Sequence, residues 1–247
     1  FFYLEKYALK PKSRENHQNH TKAKMQNKVF SSHYKIIKTL GSGAEGVVFL
    51  CETLTAAHRD IKAVKQISMA NATPEMIQQF VQHVTLINSL QHPSVRTYDD
   101  FFMDTSEGPE KSCIYLVMRY CNNGTMKDVI EEYMLHGIKF TEQDILSIIY
   151  QVSTALDYIH SKQLMHRDLK WENIFLQTEK NKTRIYIGDL GRLRTQTFSQ
   201  TMTMAGTYTT VAPEVIQQVK KYDASVDIFS LGAMLYEILT YRVCVFK

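Results

Sequence analysis

Cysteine is scarce and scattered in this 247-residue chain: Cys51, Cys113, Cys121 and Cys244 form no Cys-x-x-Cys pair. That argues against a zinc or iron–sulfur site and against a disulfide framework, and makes a reducing intracellular compartment, cytoplasmic or nuclear, the expected setting. Long apolar runs are absent as well. The longest candidate, residues 228–239, includes Glu237 and falls short of the roughly 18 apolar residues that a membrane span requires. The N-terminus lacks the charged, apolar and small-residue order of a signal peptide. There is no internal repeat. With 10 glycines, 44% apolar and 22% charged residues, the chain is neither collagen nor disordered throughout.

Acidic residues are few at the start. Residues 1–33 hold seven Lys or Arg against Glu5 and Glu15, so the net charge of +4 belongs to this polar leader. It reads as a flexible tail. A nucleic-acid contact through the tail is the sharper reading and a solvated extension the plainer one, so nucleic acid is not an expected partner.

From Tyr34 the texture changes. Residues 34–40, 47–51 and 61–67 read as strands, the first two joined by a glycine-rich turn. Thr73-Pro74-Glu75 is a helix start, and Met76, Phe80, Val84, Ile87 and Leu90 then recur at spacings of 3 and 4. Further strands are expected over 95–102 and 113–118. After Asn122-Asn123-Gly124 the pattern is mainly helical, with a capping box at Thr141 to Asp144 and a last helix over 224–239. This order predicts an α+β protein in two lobes, with a hinge over 119–124.

Gly41-Ser42-Gly43-Ala44-Glu45-Gly46-Val47-Val48 fits G-x-G-x-x-G-x-V. A dinucleotide fold uses a similar pattern but follows it with a helix; here a β-branched, apolar stretch follows, which favours a hairpin whose backbone amides can approach phosphates. Lys65 lies on the third strand, where it can serve as a cation for phosphates. His166-Arg167-Asp168-Leu169-Lys170-Trp171-Glu172-Asn173 places an acid, a lysine and an amide within six positions. Phosphoryl transfer needs an acceptor for a hydroxyl proton, charge compensation and oxygen ligands for Mg²⁺, which Asp168, Lys170 and Asn173 supply in that order. Gly188-Asp189-Leu190-Gly191 adds a second oxygen ligand, Asp189, and Ala212-Pro213-Glu214 follows after the loop 192–211.

Together these motifs, in this order, resemble the eukaryotic protein kinase family, and the lysine two places after Asp168 resembles its serine/threonine branch. The stretches around His166 and Tyr120 look most like NIMA-related kinases. The resemblance implies a two-lobed kinase fold, 34–118 and 125–247 flanking the hinge, and transfer of the γ-phosphoryl group of ATP, with Mg²⁺, to protein Ser/Thr hydroxyls. It implies Asp168, Lys170 and Lys65 as catalytic residues and Asn173 and Asp189 as metal ligands. It implies a nucleotide site of Gly41, Ser42, Gly43, Gly46, Val48, Ala63, Lys65, Met118 as gatekeeper, Tyr120 and Cys121 in the hinge, and Phe175 against the base. Thr203 becomes the candidate activating phosphosite, Asp227 the anchor of the catalytic loop, and Glu214 a structural acid whose arginine partner lies in later helices. The chain therefore reads as C-terminally truncated.

The pattern also breaks. Ten residues before Pro93 the family carries a helix glutamate; here His83 stands there, and no acid occurs in 76–91. Glu75 is eight positions earlier, about 80° around the helix. Glu45 puts an anion at the glycine-loop tip, and Leu190 replaces a phenylalanine, a swap costing about 1 kcal/mol or less. The missing glutamate keeps a second reading open: a pseudokinase that binds nucleotide or acts as a scaffold with little turnover.

Overall fold

The computed structural model describes residues 29–30, 33–43, 46–54, 59–70, 72–106, 108–180, 182–195, 209–219 and 221–242. Glu45, Thr203 and Cys244, for which the sequence raised expectations, lie outside them. The chain divides into two compact units: the first takes in 29–89 with Thr97–Tyr120, the second Leu90–Arg96 with 121–242.

The first unit is built on a six-stranded antiparallel sheet of order β1-β2-β3-β4-β6-β5, comprising β1 (Val29–Phe30), β2 (Tyr34–Gly43), β3 (Gly46–Thr53), β4 (Ile61–Ser68), β5 (Asp100–Asp104) and β6 (Cys113–Arg119). Side chains alternate along each strand, and both faces are used. One buries Phe30, Ile36, Phe49, Cys51, Val64, Tyr115 and Val117. The other buries Ala63, Ile114, Leu116 and Met118 against Val84 of helix α1 (Pro74–Asn88). Thr73 caps α1 by accepting the Met76 N–H, with Pro74 at the first helical position, as its sequence dictates.

Two expectations shift. The strand read over 95–102 begins only at Asp100; Val95 instead makes an isolated parallel bridge to Ile187. Val29 and Phe30, placed by composition in the polar leader, pair with Lys35 and Tyr34. Phe30 is 4% exposed, its ring centroid 4.5 Å from that of Tyr115 and 5.4 Å from that of Phe49. A leader judged on average polarity hides one aromatic plug.

The second unit is mainly helical: α2 (Met126–Leu135), α3 (Glu142–Ser161), α4 (Pro213–Ile216) and α5 (Ser225–Thr240). Two small sheets accompany them, β8 (Ile174–Glu179) with β9 (Lys182–Ile187), and β7 (Leu164–Met165) with β10 (Arg194–Thr195). Thr141 and Asp144 form the expected capping box, and Thr125 with Asp128 form a second one, at α2. The buried stripe of α3 is Ile148, Val152, Ala155, Leu156 and Ile159. The architecture is α+β. Among the described residues no helix is long and apolar enough to cross a membrane.

Candidate functional site

In the first unit, β2 and β3 form a hairpin whose last paired residues are Gly43 and Gly46. The three motif glycines differ. Gly46 sits at φ 126°, and a Cβ there would fall on the carbonyl oxygen of Gln66 in β4, so the fold itself demands glycine. A Cβ on Gly41 or Gly43 would meet nothing within 4 Å. Packing therefore does not require glycine at those two positions, and the open space above them suits a ligand that approaches the backbone.

Lys65 pairs in register with Val48 on one side and Leu116 on the other. Strand alternation puts it on the same face as Ala63 and Ile67, the face that α1 covers. Val48, Ala63, Met118 and Tyr120 belong to the apolar cluster on that face. His83 is half-buried on α1 immediately before the buried Val84.

In the second unit, the sequence-predicted acid, lysine and amide converge. Lys170 Nζ donates to both carboxylate oxygens of Asp168, at 3.2 and 3.0 Å. Asn173 Nδ2 donates to the Asp168 carbonyl at 2.7 Å and to its Oδ2 at 3.1 Å. A short 3₁₀ turn, Trp171–Asn173, makes this possible by curling the chain back toward Asp168. Lys170 and Asn173 thus bring a charged and an amide donor to the same carboxylate.

The loop carrying Asp168 is held from below by Asp227 in the first turn of α5. Its Oδ1 accepts the Arg167 N–H at 2.8 Å; its Oδ2 accepts the His166 N–H and the His160 Nε2–H, both at 2.8 Å. Asp227 is fully buried. Burial alone pushes its carboxyl up, but the His160 bond, the nearby His166 ring and the two backbone N–H groups outweigh it and hold it below the usual carboxylate range. Arg167 takes φ 66°, a conformation non-glycine residues seldom adopt, within this clamp.

The His166 ring joins this loop to the segment bearing Asp189. Its Nδ1 accepts the Asp168 N–H at 3.3 Å and its Nε2–H donates to the Gly188 carbonyl at 3.1 Å. Gly188 N–H donates to the Asn173 carbonyl at 2.9 Å. The two oxygen-donor side chains expected to hold Mg²⁺, Asn173 and Asp189, thus lie on backbone segments bonded to each other. Such a pair, all oxygen and short of a full cage, fits an ion that also takes phosphate oxygens. Among the described residues no cluster of three or more His, Cys, Asp or Glu offers a metal site of another kind.

Other expected residues stand as follows. Cys121 is buried, and the Asn122–Gly124 turn docks on β8: Asn123 N–H donates to Leu176 C=O, and Leu176 N–H to Gly124 C=O. Phe175 lies under the Arg96 guanidinium, 4.3 Å from ring centroid to Cζ. Glu214 is half-buried in the one-turn helix α4. Sequence reasoning missed His160 and Arg96. His160 closes an apolar helix with nothing in its spacing to mark it; only the location of Asp227 reveals it.

Comparisons with known proteins bear on this geometry. The protein kinase domain family model matches residues 34–247. The chain is 33% identical over 211 residues to the probable serine/threonine-protein kinase nek3 of Dictyostelium discoideum, covering 85% of this chain and 18% of that protein. It is 31% identical over 212 residues to the mouse serine/threonine-protein kinase Nek5 (85% of this chain, 31% of that protein). It is 32% identical over 213 residues to mouse serine/threonine-protein kinase Nek11 (85% and 32%). The chain spans about a fifth to a third of the length of these relatives. With a family match running from the first long strand through α5, and relatives that are serine/threonine kinases, several of them Nek proteins, the chain belongs to the protein kinase family.

Proposed function

We propose that this chain is a serine/threonine protein kinase that transfers the γ-phosphoryl group of ATP to protein hydroxyls. The observation that carries this reading is the carboxylate of Asp168, bonded by Lys170 and Asn173 on a loop anchored by Asp227. Asp168 accepts the proton of the substrate hydroxyl, and Lys170 sets a positive charge beside it. Asn173 and Asp189 hold Mg²⁺, which when bound neutralises phosphate charge. Gly41, Ser42 and Gly43 present backbone amides to phosphates, Gly46 sets the turn, and Lys65 pairs with the α- and β-phosphates. Val48, Ala63, Met118, Tyr120, Cys121 and Phe175 receive the base. The lobes are 34–118 and 125–247, joined at 119–124, and Thr203 is the activating phosphosite. Free thiols at Cys51, Cys113 and Cys121 accord with a cytoplasmic or nuclear setting.

A second reading, a pseudokinase, is favoured by one observation: half-buried His83 occupies the position where the family pairs a glutamate with the strand lysine. Radiolabelled phosphate transfer to a basic protein substrate separates the two. The native chain should exceed Asp168→Asn by about 10²–10⁴-fold, and His83→Glu should raise the rate further. Transfer no greater than in Asp168→Asn would refute the enzyme reading and leave nucleotide binding as the function.

A further inference from the structure

The chain holds one Asn-Gly pair, Asn123-Gly124, in the turn that leads into α2. Four asparagines lie among the described residues, and three of them have their side-chain amides in use. Asn88 Oδ1 accepts the Tyr98 N–H at 3.1 Å, and Asn173 Nδ2 donates to the Asp168 carbonyl at 2.7 Å. Asn122 is held at both ends: its Nδ2 donates to the Thr178 carbonyl at 3.0 Å and its Oδ1 accepts the Thr178 N–H at 2.9 Å. Asn123 differs. Among the described residues its side-chain amide has no hydrogen-bond partner, and neither has the Gly124 N–H. Gly124 is exposed at φ 69° and sets no side chain of its own beside that nitrogen.

We propose that Asn123 is a site of spontaneous deamidation through a succinimide. The Gly124 nitrogen attacks Asn123 Cγ, a C–N bond closes the ring, and the Asn123 amide leaves with the Gly124 proton as ammonia. Water then opens the ring at either carbonyl, giving aspartate or isoaspartate, with no change of oxidation state. An asparagine whose amide is already bonded, as Asn122 is, must first give up those bonds. Isoaspartate routes the main chain through the side-chain methylene and lengthens the 123–124 link by one C–C bond, about 1.5 Å. That link lies between two hydrogen bonds to a single residue of β8: Asn123 N–H to Leu176 C=O at 3.1 Å, and Leu176 N–H to Gly124 C=O at 2.9 Å. The longer link cannot keep both, so the turn lifts from β8. The reaction also adds a negative charge one residue from Gly124, where the Asp128 carboxylate already stands 2.9 Å from the place a Cβ would take. None of this depends on catalytic activity.

The test is to age the full folded chain in mildly acidic and mildly alkaline buffer, digest it with trypsin and read the 120–127 peptide by fragmentation mass spectrometry. Asn123 should gain about one dalton, the exchange of NH₂ for OH, at least about tenfold faster than Asn122 in the same peptide. The gain should be faster in the alkaline buffer, and part of the product should accept a methyl group from protein L-isoaspartate methyltransferase. In the aged protein, hydrogen exchange at the Asn123 and Leu176 amides should speed up together. Asn123→Gln, whose longer side chain closes the ring far more slowly, should stay unmethylated and keep that protection. The native chain alone decides the matter should the variant misfold. No mass gain at Asn123, an equal gain at Asn122, or a gain without methyl acceptance would overturn the proposal.

Discussion

Gly43 and Gly46 stand three residues apart in one hairpin and answer to different constraints. At Gly46 a methyl would meet the Gln66 carbonyl at a φ of 126°, so Gly46→Ala should destabilise the protein by roughly 1–3 kcal/mol in denaturant unfolding. At Gly43 nothing lies within 4 Å, so Gly43→Ala should leave stability within about 0.5 kcal/mol while weakening nucleotide binding. Asp227 makes a prediction in pH. Its folded-state carboxyl sits below the ordinary range, so its contribution is complete above the unfolded value of about 3.9 and is lost as pH falls through the lower folded value. Asp227→Asn should cost roughly 1–3 kcal/mol near neutrality, because three donors face an amide in place of a carboxylate. It should also flatten the acid limb of the stability–pH curve. An unchanged acid limb would mean that another carboxylate dominates it.

At the scale of the element, what the sequence revealed depended on whether local chemistry or long-range pairing decides the outcome. The starts of α1 and α3 were legible because Thr73 and Thr141 each cap their own helix. Thr141→Ala should remove about 1 kcal/mol of stability, measured by urea unfolding. The strand expected over 95–102 was misplaced because its apolar residues serve two partners: Val95 bridges Ile187, while Asp100 to Asp104 pair with β6. No pattern within eight residues separates those roles. The α5 helix has no side-chain cap. Its first-turn acid, Asp227, is instead turned toward the loop carrying Asp168, a choice visible only through its three partners. That Asp168, Lys170 and Asn173 come together was legible because all three lie within six positions. Arg96 and His160 were not, since each reaches its partner across more than 60 residues of chain.

For the molecule as a whole, the family match begins at Tyr34, but the sheet begins at Val29. Phe30 closes an aromatic tray in which Phe102 stacks on Tyr115 at 4.9 Å and on Tyr34 at 5.8 Å. Beneath it the Cys51 thiol is so well buried that its pKa is pushed up to about 12. Among the described residues, strand pairing therefore starts five residues before the family match. A recombinant domain cut at Tyr34 would keep every motif, yet lose the plug and bare the outer edge of β2. Phe30→Ala should cost on the order of 3 kcal/mol. The cut protein should scatter light at concentrations where the full chain stays clear, and its Cys51 should react with a thiol reagent that the full chain resists. Anyone borrowing this module by its family outline would thus turn a sealed surface into an adhesive one.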